Sequence, residues 1–364
     1  MSRILFLVPR MNIGGAETYV YTVAKELHRR GEHEVFVASA GGALSDELEK
    51  MGIKTFFIPV RFSRRFCKNI AIFMLRKIIK KYNIDVVHAN SGDAGCIVAE
   101  LKKSIDIPVV YTAHGIFGNI EREYVIDTVD RIICVSNFVK QRAIKQNFSE
   151  NKLLTRYCGV DVERFKPDMS KRIELRRMYG IEESTLVLAT VSRIKDLEHK
   201  GHGALLEMFE KYASDKDWKL IVVGKGSGLI QFKYRIKKAG LDNKIICLGH
   251  RTDVENILNM ADVYVSPTRF ETFGLAIAEG MAMEKPGVAY EIGGTSEVIN
   301  DGVSGFLVEF KNVQNLYEKI NCLDTNRKLL EDMSRQARIW VEENFTIKQM
   351  VDGLEEIYSD VLAK

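Results

Sequence analysis

Short runs rich in valine and isoleucine alternate with longer amphipathic stretches from one end of the chain to the other, and this rhythm constrains the fold more than any other feature. A strand that is apolar at nearly every position is buried on both faces. It therefore needs helices on both sides and parallel crossovers. In the first half the runs fall at 4–8, 34–38, 54–58, 86–88, 109–114 and 131–136, with helical stretches at 16–30, 69–82 and 137–146. After a turn-rich stretch ending at Pro167 a charged helix intervenes, and the alternation restarts at 187–191, then 220–223, 245–248, 263–266, 287–289 and 305–308. The expectation is an α/β protein of two doubly wound domains joined near 159–172. The 364 residues suffice for two cores.

Composition excludes several classes. Hydrophobic residues make up 46% and proline occupies 6 positions, a profile that argues against disorder. The net charge of +4 is too small to mark a nucleic-acid binder, but residues 1–165 hold 25 Lys/Arg against 18 Asp/Glu, while 166–364 hold 28 against 31. Six cysteines without a C-x-x-C pair read as buried thiols of a reducing compartment. The apolar run before Pro9 is too short for a signal peptide and no run could span a bilayer, so a cytoplasmic location is expected, with any membrane contact peripheral.

Ligands of doubly wound sheets bind beyond the carboxyl ends of the strands, and the residues there carry the chemistry. After the first run stands Met11-Asn-Ile-Gly14-Gly15-Ala-Glu17, either a tight turn or a place where backbone amides receive an anion. Gly224-Lys-Gly-Ser-Gly228 imitates a nucleotide loop, but Leu229 stands where the dinucleotide fingerprint needs glycine. Arg193 and Lys200, the latter in Lys200-Gly201-His202, are either ordinary loop charges or a pair that neutralises a diphosphate. The strongest signal is Ser266-Pro-Thr-Arg-Phe-Glu271-Thr272-Phe273-Gly274-Leu275-Ala-Ile-Ala-Glu279. A strand ends, a loop presents Glu271, and a helix beginning near Gly274 carries Glu279 in its early turns. Its amides suit phosphate and the two carboxylates suit sugar hydroxyls, or else they serve the helix dipole. Asp215-Lys-Asp217 matches a metal-binding Asp-x-Asp but precedes its strand, as a solvated loop does, and no metal-ligand spacing stands elsewhere.

Taken in order, Gly14-Gly15-Ala-Glu17, Val110-Tyr-Thr-Ala-His114-Gly, Gly159-Val-Asp161, Arg193 with Lys200-Gly201, the Glu271/Glu279 pair and Gly293-Gly-x-x-Glu297 resemble the family-4 retaining glycosyltransferases of the GT-B fold over nearly the whole chain. The resemblance implies two Rossmann-like domains facing each other across a cleft: 1–165 for the acceptor, 166–345 for the nucleotide-sugar donor, and a last helix, about 346–364, packing back on the first. It implies that Arg193 and Lys200 hold the donor diphosphate with Gly14, Gly15 and the amides around Phe273, Gly274 and Leu275. Glu279 binds the ribose, Glu271 with Thr272 orients the sugar, His250 and Arg251 frame the base, and His114 stands by the reacting centre as base, donor or merely a satisfied histidine. The implied activity is retaining transfer from a nucleotide diphosphate, UDP favoured, to a glycan or lipid-linked acceptor in envelope polysaccharide synthesis, with no metal or other cofactor and no nucleic acid. A non-catalytic glycan- or partner-binding relative, or another GT-B enzyme such as a sugar-nucleotide epimerase or a phosphorylase, is the alternative. Two departures stand out: the Arg193 to Lys200 spacing is longer than usual by one or two residues, and Cys158 replaces the usual Asn before Gly159-Val-Asp161. Finally, Arg61 to Lys81 holds eight basic and no acidic residues interleaved with Phe62, Phe66, Ile70, Phe73 and Met74, either a solvated helix face or a stretch that lies on an anionic membrane.

Overall fold

The computed structural model describes residues 1–61 and 65–363. They divide into two compact units, Met1–Gly159 with Ile347–Lys364, and Val160–Thr346.

Unit 1 is built on seven parallel strands: β1 (Ser2–Leu7), β2 (His33–Ser39), β3 (Lys54–Phe57), β4 (Val86–Ala89), β5 (Val109–Ala113), β6 (Arg131–Cys134) and β7 (Leu153–Thr155), in the order β3-β2-β1-β4-β5-β6-β7. Unit 2 holds β8 (Leu186–Val191), β9 (Trp218–Val223), β10 (Ile245–Gly249), β11 (Val263–Ser266), β12 (Gly287–Tyr290) and β13 (Gly305–Val308), in the order β10-β9-β8-β11-β12-β13. All pairings within the sheets are parallel. The fold expected from the rhythm of apolar runs is the one observed. The central strands are buried on both faces, as in Ile4, Leu5, Phe6 and Leu7 of β1 and in Leu186, Val187, Leu188 and Ala189 of β8, all fully inaccessible.

Strand order fixes where a ligand can bind. In each sheet the chain starts at one strand, winds outward, then returns to that strand's other side, so β1 and β4 flank the switch point of unit 1 and β8 and β11 that of unit 2. Side chains and loops just beyond these four strands line the natural crevice of each sheet. At the opposite end of the unit 2 sheet, Arg172 and the buried Arg176 both reach the Asp262 carboxylate, at 2.9 and 2.7 Å, and Asp262 also accepts from the Val187 amide at 2.7 Å. This network anchors the Met169–Met178 helix to the amino ends of β8 and β11, away from their carboxyl ends.

Candidate functional site

In unit 2 the loop after β8 carries Arg193 and Lys200, and its shape is set by close backbone packing. A Cβ on Gly201, whose φ is 75°, would overlap the carbonyl oxygen of Pro267. Only glycine lets this loop lie against the one following β11. The two loops are then stitched together: the Arg269 amide and the Thr268 hydroxyl both donate to the His199 carbonyl at 3.1 Å, and the Arg269 guanidinium pairs with Glu198. Held this way, Lys200 Nζ donates to Glu271 Oε2 at 2.8 Å, and both side chains are half-buried. The sequence suggested a ligand contact for each residue but not that they meet each other. The longer Arg193 to Lys200 spacing is accommodated without separating Lys200 from the carboxylate loop.

The Gly224–Gly228 loop supports this arrangement. A Cβ on Gly224, where φ is 152°, would overlap the Ser192 carbonyl oxygen, and the Ile194 amide donates to the Lys225 carbonyl while the Gly228 amide donates to that of Ile194. Its glycines allow it to brace the Arg193 loop from behind. Arg193 itself is exposed, with no ion pair among the described residues.

Glu271 is oriented from both sides, since Oε1 also accepts from the Thr272 amide at 3.2 Å. The Gly294 amide donates to the Glu271 carbonyl at 3.0 Å, so the Gly293-Gly294 turn backs the same loop. Phe273 is buried against Phe345, ring centroids 5.4 Å apart, which pins the loop at the mouth of the Leu275–Ala282 helix. That helix opens on Gly274 without a side-chain cap, so its first amides, at Leu275 and just beyond, offer uncapped donors beside the ion pair. Glu279 lies one turn further along. Burial pushes its carboxyl up to about 7 against the opposing pull of Arg164, which is itself paired with Glu255 at 2.8 Å. Glu271 and Glu279 both raise the pKa of the buried Tyr264 hydroxyl, which places the two carboxylates in one neighbourhood. His250 is exposed, and Arg251 is committed within its own loop, donating to both oxygens of Asp253 at 2.8 and 2.7 Å.

In unit 1 the loops beyond β1, β4 and β5 mix charged and neutral groups, with the exposed Arg10 and the half-buried Glu17 after β1 and the uncharged Asn90 and His114 after β4 and β5. Gly14 precedes the Gly15–Arg30 helix, which also lacks a side-chain cap, and the Glu17 carboxylate folds back against Gly14. His114 follows β5, and its Nε2 lies 3.2 Å from Asn90 Oδ1 at the end of β4. The Tyr19 ring meets it edge-on at 4.8 Å. Burial lowers the His114 pKa to about 4, so the ring is neutral at ordinary pH. His88 is fully buried, its pKa lowered to about 3, with Tyr358 Oη and Thr112 Oγ1 each 2.7 Å from a ring nitrogen. It is a supporting residue. Asn90 was missed by sequence reasoning; its position directly after a switch-point strand was the available signal.

Within the basic segment, residues 65–81 lie in the Arg65–Tyr82 helix, on which Phe66 and Phe73 are 78% and 57% exposed. Lys77 Nζ sits 4.4 Å above the Phe73 ring. Phe62 and Arg64 lie outside the described residues, and the side chain of Arg65 is not described. Among the described residues no helix is long and apolar enough to cross a membrane.

Comparison with known proteins finds relatives over nearly the whole chain. The model of glycosyl transferases group 1 matches residues 171–340, and that of glycosyltransferase family 4 matches residues 13–164. The chain is 27% identical over 354 residues to an Escherichia coli UDP-Gal:alpha-D-GlcNAc-diphosphoundecaprenol alpha-1,3-galactosyltransferase, covering 90% of this chain and 88% of that one. It is 26% identical to the N-acetyl-alpha-D-glucosaminyl L-malate synthase of Bacillus anthracis, covering 96% and 95%. The crystal structure of a glycosyltransferase from Rickettsia africae superimposes with a TM-score of 0.90 at 29% identity, covering 99% and 98%.

Proposed function

Because the chain belongs to the family-4 glycosyltransferases and has the GT-B fold, we propose that it transfers a sugar, with retention of configuration, from a UDP-sugar to a lipid-linked glycan. Unit 2 takes the donor. The observation that carries this is the half-buried Lys200–Glu271 pair beside the uncapped start of the Leu275–Ala282 helix. A diphosphate is met there by the Lys200 ammonium, the Arg193 guanidinium and free amides, all preorganised where negative charge grows as the leaving group departs. Glu271 accepts from hydroxyls of the sugar and Glu279 from those of the ribose. His114 of unit 1 is assigned to the transferred sugar.

In the reaction the bond from the anomeric carbon to the diphosphate oxygen breaks, and a bond from that carbon to the acceptor oxygen forms on the same face. The acceptor proton passes to the departing phosphate, and the cations above stabilise the charge without a metal. The E. coli relative, whose name gives UDP-Gal and a diphosphoundecaprenol-linked sugar, supports both the nucleotide and the lipid carrier. The exposed phenylalanines on the basic Arg65–Tyr82 helix support a peripheral stay at an anionic membrane surface on the inner side, where such an acceptor resides.

The test is to incubate the purified protein with UDP- and GDP-sugars, with and without polyprenyl-diphosphate-linked glycans and small hydroxy-acid acceptors. UDP release that requires the lipid-linked acceptor, survives chelation and yields product with the donor's anomeric configuration is expected. Inverted product would overturn the proposed face of attack. Nucleotide release with no transferred sugar would favour a different GT-B reaction.

A further inference from the structure

Gly31, at φ 72°, closes the Gly15–Arg30 helix and turns the chain at once into β2, so Glu32 and His33 stand together at the amino end of that strand. The last helix, Ile347–Leu362, packs against the Gly15–Arg30 helix and brings Glu355 to the same spot. One ligand atom from each of Glu32, His33 and Glu355 lies within 4.8 Å of the other two. Sequence spacing hides this trio, because two members are neighbours and the third comes from the far end of the chain.

Two of its atoms are orphaned. His33 Nδ1 and Glu355 Oε1 are inaccessible to solvent and have no hydrogen-bond partner, while His33 Nε2 lies 3.5 Å from Glu355 Oε1. That separation is longer than the usual hydrogen bond of about 2.7–3.2 Å. It suits two ligands of one metal ion: zinc holds imidazole nitrogen and carboxylate oxygen at about 2.1 Å, which sets neighbouring corners of its tetrahedron about 3.4 Å apart. The surroundings prepare the carboxylates. Arg30 Nη1 donates to Glu355 Oε2 at 2.6 Å and to Asp352 Oδ1 at 2.7 Å, which orients the Glu355 carboxylate and leaves Oε1 as the oxygen that can bind. Glu32 is exposed and has no ion pair among the described residues, so its charge is available to offset that of a dication. The His33 ring meets Tyr358 edge-on at 6.5 Å, which holds the imidazole against the last helix.

We propose that Glu32, His33 and Glu355 form a site for a divalent transition metal, zinc by its ligand set, that clasps the last helix to the start of β2. His33 supplies Nε2, Glu355 supplies Oε1, the exposed Glu32 supplies a second carboxylate oxygen, and water completes the tetrahedron on the solvent side. The trio stands at the amino end of its parallel sheet, whereas Asn90 and His114 follow carboxyl ends. The metal therefore holds the fold and takes no part in sugar transfer, and the inference stands apart from the glycosyltransfer reading.

The test titrates the full chain, freed of any purification tag and of metal, with Co²⁺ and then with Zn²⁺. One equivalent of Co²⁺ should bind with the strong visible absorption of a tetrahedral centre and without the near-ultraviolet band of a thiolate ligand, and zinc should displace it. The missing thiolate band excludes the exposed Cys322. Saturating zinc should raise the midpoint of thermal unfolding by about 5 °C or more. His33→Ala and Glu355→Gln should each weaken Co²⁺ binding at least about tenfold. Asp352→Asn removes the other partner of Arg30 without touching a ligand and should leave the affinity within about threefold. Absence of stoichiometric binding, a thiolate band, or an affinity unchanged in both His33→Ala and Glu355→Gln would overturn the proposal. If the variants do not fold, the stoichiometry and cobalt spectrum of the wild type decide.

Discussion

The carboxyl edges of the two sheets differ in how much of their chemistry is paired charge. Beyond β8 and β11 lie an exposed Arg193, the Lys200–Glu271 ion pair and a Glu279 carboxyl poised near neutrality. Beyond β1 stand Arg10 and Glu17, and beyond β4 and β5 lie Asn90 and His114, with the neutral His88 beneath them. One edge centres on a half-buried ion pair, and the other mixes surface charge with neutral hydrogen-bonding groups. A nucleotide sugar has both parts, with a diphosphate that needs compensation as it leaves and a sugar whose hydroxyls need only orientation. On the proposed function the charged edge of unit 2 answers the diphosphate, and the difference between the edges can be tested at either one.

The largest effect is expected at the charged edge. Lys200→Ala should lower kcat by roughly 10²- to 10³-fold, the cost of removing one preorganised group that stabilises developing charge, about 2.7 to 4 kcal/mol. Because Lys200 and Glu271 are bonded to each other, the double variant with Glu271→Ala should lose much less than the two single losses combined. Gly201→Ala should approach the Lys200→Ala loss while also lowering thermal stability, since its Cβ overlaps Pro267 and displaces the loop. Steady-state kinetics with saturating acceptor read all three. A wild-type rate in Lys200→Ala would break the contrast between the edges.

The second test separates the edges by pH. His114 and His88, with pKa values lowered to about 4 and 3, gain no proton between pH 5 and 8, whereas Glu279 does at about 7. A carboxylate accepts from ribose hydroxyls better than a neutral acid does. Donor kcat/KM should therefore fall as pH drops below about 7, approaching tenfold per unit if only the carboxylate binds. Glu279→Gln should abolish this limb, and His114→Gln should leave its midpoint in place. Stability gives an independent check. The folded-state pKa of Glu279 is raised above its ordinary value of 4.5, so its contribution is present below about 4.5 and is lost as pH rises through 7. Glu279→Gln should then be more stable than wild type at pH 8, by an amount on the order of 1–3 kcal/mol in denaturant unfolding, and no more stable at pH 4.

The strands and the charged edge were legible in the sequence, and the reasons are physical. Strands of a parallel sheet covered on both faces announce themselves as continuous apolar runs, so β11 and β13 were read to the residue. Helices buried on most sides do not: Gly92–Lys102 is inaccessible at seven of its eleven positions and has no polar face to set a period, so it went unread. β7 was missed because three residues pairing with one neighbour at a sheet edge carry too short a pattern. At the site, glycines and charged residues in loops stand out against their surroundings. The Lys200–Glu271 contact did not, because it depends on two loops 71 residues apart in sequence being packed backbone to backbone. Asn90 was silent for another reason: a single amide says nothing until the polarity of both its neighbours is known.

The smallest effect concerns a second pair of regions, one helix from each unit, that share a composition. Arg65–Tyr82 in unit 1 exposes Phe66 and Phe73 among Arg76, Lys77, Lys80 and Lys81; Leu229–Lys238 in unit 2 exposes Ile230 and Tyr234 among Lys233, Lys237 and Lys238. Composition alone does not rank them. Their length does, because the unit 1 helix has 18 residues and sets Phe66 and Phe73 seven apart with Lys77 over the Phe73 ring, whereas the unit 2 helix has only 10 residues. A longer face that interleaves rings and cations can seat its rings among the headgroups while the cations stay with the phosphates. Sedimentation with vesicles rich in anionic lipid should therefore be weakened by Lys77→Glu with Lys80→Glu, each lost cation costing on the order of 1 kcal/mol before reversal is counted. Phe73→Ser should weaken it at high salt as well as low, since burial of the ring is not screened. Lys233→Glu with Ile230→Ser should change binding by less than about threefold, within the usual spread for surface substitutions. Equal losses from the two helices would erase the distinction and make the basic faces no more than solvated surface.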